Sequence, residues 1–179
     1  VNDSAFTIEA EAVAGRVFAT AFSDLRAIGS FNDTTNITFG NSPAAGKVSG
    51  IHVSFDLMMP VGYGDSIVIE LPGFSSSIEM VELTDLPLFL SVTWIPTQSS
   101  LQITFNESVG ARQSVNFSLS PSAIALSIPV FGVRRQQETI KFSSDAALGR
   151  VLPTSVAFVQ PVGSFNGTSS LSFAPAKAG

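Results

Sequence analysis

Six of the seven asparagines in this chain stand two residues before a Ser or Thr: Asn2-Asp3-Ser4, Asn32-Asp33-Thr34, Asn36-Ile37-Thr38, Asn106-Glu107-Ser108, Asn116-Phe117-Ser118 and Asn166-Gly167-Thr168. Only Asn41, followed by Ser42 and Pro43, falls outside the pattern. The chemistry this spacing serves is N-glycosylation, in which the side-chain amide nitrogen becomes the attachment point of a sugar. Ser and Thr make up about a fifth of the chain, so composition alone would put roughly one or two of seven asparagines in that context. Asn2, Asn32, Asn36, Asn106, Asn116 and Asn166 are therefore candidate glycosylation sites, with covalent N-glycans as partners. They predict an extracellular or cell-surface protein.

Catalytic chemistry has much less to work with. His52 is the single histidine, and its alternation with Ile51, Val53 and Phe55 sets it on the outer face of a strand, which argues against a triad or a His-rich metal site. Cysteine is absent, which removes disulfides, thiolate metal sites and Cys nucleophiles together. Asp56, Asp65 and Glu70 come nearest to a glycosidase-type carboxylate pair, but they share no motif, and carboxylates on amphipathic strands ordinarily face water. Asp65 with Asp85 is a calcium candidate at a turn, without the D-x-D run that usually accompanies one. Gly62-Tyr63-Gly64 lacks the G-K-[ST] element of a phosphate loop, and Arg134-Arg135 reads as a surface or hinge feature. The expectation is no enzyme, no catalytic residue, no metal and no cofactor. Trp94 and Tyr63 could instead build an aromatic platform for sugars on a β-sandwich. A lone Trp sharing parity with Val92 is, however, ordinarily core.

Composition narrows the partners. Hydrophobic residues make up 45% and charged residues 13%, with a formal charge of -5 and nine Lys plus Arg. Such a chain offers nucleic acid no basic face. No apolar run approaches the roughly 18 to 20 residues of a membrane span, and no signal peptide is visible. A chain starting at Val1 rather than Met reads as a processed or partial product. With so few charges, glycans would help hydrate the surface.

The elements that must carry these groups are strands. Ile51, Val53, Phe55 and Leu57 alternate with polar neighbours, as do Ile67, Ile69 and Leu71, then Leu101, Ile103 and Phe105, then Val115, Phe117 and Leu119. Turn chemistry separates them at 60–65, Pro72-Gly73, 96–100 and Gly110. The pattern predicts an all-β, antiparallel sandwich of immunoglobulin-like or jelly-roll type. Residues 121–126 suit either a short helix or a connecting loop. Strand parity turns Asn36, Asn106 and Asn116 away from the core.

The chain also repeats itself. Gly29 to Phe39 reads GSFNDTTNITF and Gly163 to Phe173 reads GSFNGTSSLSF. At the same shift of 134, residues 6–45 match 140–179 at twelve of forty positions, among them Gly15-Arg16-Val17 with Gly149-Arg150-Val151. Phe6 and Ile8 meet Ile140 and Phe142, so inward parity survives where identity does not. We read 46–179 as a complete sandwich repeat and 1–45 as an N-terminal partial repeat that cannot close a core alone. Two arrangements satisfy this: a window of a longer tandem protein, or a filament subunit whose N-terminal portion completes another copy.

The strand Ile67-Val68-Ile69-Glu70-Leu71-Pro72-Gly73-Phe74 and the closing run from Ser172 to Gly179 resemble tandem-repeat extracellular immunoglobulin-like β-sandwich proteins of microbes. The run Phe6-Thr7-Ile8-Glu9-Ala10-Glu11-Ala12 resembles the donor strands of pilus-like subunits that polymerise by donor-strand exchange. This chain departs from the latter in its many sequons and lack of cysteine. The resemblance implies a homopolymer in which a strand at about 4–14, presenting Phe6, Ile8, Ala10 and Ala12, is donated to a neighbour. The expected function is a structural subunit of an extracellular glycoprotein fibre or surface assembly. The alternative is an adhesion or carbohydrate-binding repeat of a large cell-surface protein. With no thiol and no metal motif, the melting temperature should respond to neither reductant nor EDTA. A large drop with EDTA, followed by calorimetry, would reveal a calcium site among the turn carboxylates.

Overall fold

The computed structural model describes residues 7–21, 29–31, 33–78, 80–81, 90–135 and 137–163. Asn2, Phe6, Asn32, Asp85 and Asn166 lie outside the described residues. In chain order the strands are β1 (Thr7–Ala12), β2 (Gly15–Ala21), β3 (Asn36–Phe39), β4 (Val48–Ser49) and β5 (Ile51–Asp56). There follow β6 (Ser66–Glu70), β7 (Ser75–Ser76), β8 (Met80–Val81), β9 (Leu90–Ile95) and β10 (Ser100–Phe105). The last are β11 (Ser114–Leu119), β12 (Leu126–Ser127), β13 (Lys141–Ser144), β14 (Val151–Ser155) and β15 (Phe158–Val159). A six-stranded sheet runs β14-β13-β6-β10-β9-β8, a four-stranded sheet β11-β5-β3-β15, and a small three-stranded sheet β4-β12-β7.

The protein is an all-β sandwich, and its alternating apolar residues explain why. Ile51, Val53 and Phe55 of β5, Ile67 and Ile69 of β6, Leu101, Ile103 and Phe105 of β10, and Val115, Phe117 and Leu119 of β11 are all buried in one core. Phe55 on the four-stranded sheet meets Phe142 on the six-stranded sheet edge to face at 5.5 Å, and Phe31 closes the triangle at 5.7 and 5.5 Å. Such edge-to-face contacts add to the burial that already draws the sheets together. Of residues 121–126, the first four form a single helical turn, α1 (Pro121–Ile124), with Pro at its start, and Leu126 opens β12. Ser120 caps it, its hydroxyl accepting from the Ala123 amide at 3.2 Å. Among the described residues no helix is long and apolar enough to cross a membrane.

A cut between 45 and 46 runs through this sandwich. β3 lies between β5, to which it is antiparallel, and β15, to which it is parallel, and Phe31, Ile37 and Phe39 are core residues. Residues 29–39 thus pack with 51–162, so the described sandwich starts near Gly29 and runs to Gly163. Sequence periodicity could give the length of the repeat but not its frame, because a cyclic pattern reads the same from any starting point.

The repeat is visible in backbone pairing. β13 and β14 pair Lys141 with Ser155, Phe142 with Thr154 and Ser144 with Val151, with an irregularity between Phe142 and Ser144. Subtracting 134 gives Thr7 with Ala21, Ile8 with Thr20 and Ala10 with Val17, which is the observed pairing of β1 with β2, its irregularity between Ile8 and Ala10 included. The candidate donor strand is therefore one arm of a hairpin. Surroundings differ completely: Phe142 is 0% exposed and Ile8 is 56% exposed. Ala10 and Ala12 are exposed, whereas their counterparts Ser144 and Ala146 are buried. β13 is hydrogen-bonded on its other side to β6; β1 pairs with β2 alone among the described residues.

The two ends of the unit lie at opposite ends of the sandwich. Ser30 accepts from the Met58 amide at 3.1 Å, just past the end of β5. Val162 is bridged to Val133, and Gly163 lies against Ala45, just before the short strand that leads into β5. Gly29 and Gly163, equivalent in the repeat, both adopt positive φ (73° and 67°), a region open to glycine at little cost. If Phe142 is a core residue and its counterpart is not, Phe142→Ala should cost about 3 to 5 kcal/mol while Ile8→Ala leaves the unfolding midpoint of the sandwich unchanged. Chemical denaturation of the two variants checks this.

Candidate glycan face

Outward-facing side chains of the four-stranded sheet line up across its strands. Register places Asn116 of β11 opposite Ser54 of β5, Ser54 opposite Asn36 of β3, and Asn36 beside Phe158 of β15. The next row holds Ser118, His52 and Thr38. Two candidate glycosylation sites thus flank one serine on one face, roughly 10 Å apart at two strand spacings. β11 turns Val115 and Phe117 inward and leaves Asn116 exposed, which frees its amide nitrogen for a sugar.

Asn36 and Asn106 differ from the expectation in detail. Asn36 is on the outer face, opposite in parity to Ile37, but it is half-buried, and its Oδ1 is buried without a hydrogen-bond partner. Outward parity does not guarantee exposure on an inner strand, because neighbours on both sides crowd the position. Asn106 is exposed, but it lies one residue past β10 rather than in a strand. Its solvent position follows from the turn, not from alternation.

A groove of about 1000 Å³ opens beside the rows, lined among others by Thr38, Asn41, His52, Asn116, Ser118 and Ser122. His52 Nδ1 lies 2.8 Å from the Ser118 hydroxyl. The lining has no carboxylate, Lys or Arg and includes the hydroxyls of Thr38, Ser118, Ser120 and Ser122, a surface to which a sugar can hydrogen-bond. Asn116 stands within it, so a glycan on that residue would occupy the groove itself.

The remaining sequence candidates are dispersed. Trp94 is 2% exposed and belongs to the core, which leaves Tyr63, exposed in a turn, without it as a sugar platform. Asp56 accepts from the Ser114 hydroxyl on the outer face of the four-stranded sheet. Asp65 caps its own turn, accepting from the Gly62 amide at 2.7 Å and from the Ala147 amide at 3.3 Å. Glu70 lies at the far end of β6, in the other sheet, so these carboxylates do not meet as an acid–base pair. Among the described residues no three His, Asp or Glu side chains cluster. Arg134 and Arg135 are exposed. Compared with protein-family models, curated proteins and solved structures, the chain has no match.

Glycopeptide mass spectrometry of native material should find higher occupancy at Asn106 and Asn116 than at Asn36, whose amide is hemmed in. Full occupancy at Asn36 with bare Asn116 would contradict this reading of the face.

Proposed function

We propose that this chain is a structural repeat of an extracellular, N-glycosylated fibre or surface assembly, in which strand complementation links one sandwich to the next. One observation carries the reading: the β1–β2 hairpin keeps the pairing register of β13–β14 yet leaves its apolar side chains in water. A lone two-stranded hairpin is marginal in water, and an exposed strand edge invites pairing. Its counterpart is held by β6 through Lys141 with Glu70, Phe142 with Ile69 and Ser144 with Ile67. By the repeat, β1 belongs on a β6-type strand with Thr7 at the Glu70 position, Ile8 at Ile69 and Ala10 at Ile67. Within one copy that place is taken by β13, so in a neighbouring copy the hairpin enters by exchange for that copy's β13, as in a domain swap.

Burial of an Ile or Val side chain contributes about 1.5 to 3 kcal/mol. Ile8→Asp combined with Val17→Asp should therefore abolish self-association in sedimentation velocity while leaving the melting temperature of the sandwich as it was. Deletion of residues 1–14 should act alike. Unchanged association of both variants would rule out complementation by this hairpin.

A second reading, an adhesion or carbohydrate-binding repeat, draws on the hydroxyl-lined groove beside Asn116. Binding of free glycans on an array, lost in His52→Ala, would favour it over the structural reading.

A further inference from the structure

We propose that successive copies of the sandwich abut end to end without a linker, the turn carrying Val130 and Phe131 of one copy seated on the surface carrying Tyr63 and Leu148 of the next. The inference rests on the reading of the chain as a repeat and names the partner: a second copy of this sandwich.

The junction glycine carries the argument. At the leading end, a Cβ on Gly29 would lie 2.6 Å from the Gly149 carbonyl oxygen, and one on Gly149 would lie 2.6 Å from the Met59 Cβ. Gly29 is therefore packed into the sandwich that it opens. At the trailing end, Gly163 directly follows the bridge of Val162 with Val133, and its Cβ position is 3.4 Å from the Ala45 Cβ. It is packed against the sandwich that it closes. Gly29 and Gly163 are the same position of the repeat, and the sequence after Gly163 repeats the sequence after Gly29. One glycine thus has to satisfy both packings at once, which leaves no residue for a spacer.

Each end presents apolar side chains beside that glycine. At the trailing end, the turn Pro129 to Gly132 is closed by the Gly132 amide donating to the Pro129 carbonyl at 2.8 Å. It presents Val130 and Phe131, the latter 95% exposed. At the leading end, Leu148 adjoins Gly149 and is 68% exposed. Tyr63, also exposed, joins it through Asp65, which caps the Tyr63 turn and accepts from the amide preceding Leu148. Exposed apolar side chains at both ends of a unit that repeats head to tail make a heterologous, self-propagating contact.

The chain has no cysteine, so introduced thiols report without background. Full-length chain carrying Phe131→Cys with Leu148→Cys, treated with a short bis-maleimide, should give a ladder of covalent oligomers on a denaturing gel. Each single variant should stay monomeric, because a head-to-tail contact sets its one thiol against Leu148 or Phe131 of the neighbour rather than against a second thiol. In parallel, Phe131→Asp should weaken self-association by about tenfold or more with an unchanged melting temperature, since the side chain is in water in the single copy. Self-association that persists in Phe131→Asp and Leu148→Asp, with no ladder, overturns the junction and leaves the fibre reading standing. A chain that stays monomeric at every concentration and gives no ladder overturns both. Asn106 also stands at the leading end, past β10, so the linking is repeated on glycosylated material; a ladder confined to Asn106→Gln overturns the junction for the native glycoprotein.

Discussion

The pairing of β3 with β15 sets what this molecule can build. One is the first strand of the sandwich and the other the last, and they run parallel in the same sheet. Parallel neighbours begin at the same end and finish at the same end, so the chain comes in at one end of the sandwich and leaves at the other. An antiparallel closing pair would have brought both termini to one end and produced a side branch. The Phe31, Phe55 and Phe142 triangle locks the arrangement, joining the start of the unit, its unrepeated middle and its repeated close in one aromatic contact set.

In the proposed assembly, glycans and packing would divide the surface. Asn116 and Asn36 share the Ser54 row, midway along β5, where sugar would cover the broad face of the four-stranded sheet. The trailing end is left to apolar side chains. In the proposed assembly a surface with few charges and no cysteine would be kept in solution by carbohydrate, on the flank at Asn116 and at the leading end at Asn106, while the apolar side chains of the trailing end would meet the next copy.

Much of this was legible in the residues alone. Alternation in Ile51 to Leu57, Ile67 to Leu71, Leu101 to Phe105 and Val115 to Leu119 identified strands and their inward faces, because one buried face imposes a period of two. It also set Trp94 in the core and His52 outside. The identities at a shift of 134 marked 6–45 as a second copy of 140–179; that both copies open with a hairpin shows only in the backbone pairing. What could not be read was frame and neighbourhood. Whether β15 takes Asn36–Phe39 or the copy of that run at 170–173 as its parallel partner depends on chain reach, since a parallel partner needs a crossover of a dozen or more residues. Asn36 looked as free as Asn116 because parity reports a face, not the crowding upon it. Tyr63, Leu148, Val130 and Phe131 gave no periodic signal; turns place them, and only their positions beside two equivalent glycines give them meaning.

Electron microscopy of the native assembly tests the central claim most directly, through the axial spacing of successive copies. Sandwiches strung end to end through a shared glycine should give straight, regular filaments whose axial repeat is the length of one sandwich, roughly 35 to 45 Å for a unit of this size. Dispersed single sandwiches, or beads at irregular and longer spacing, would contradict it.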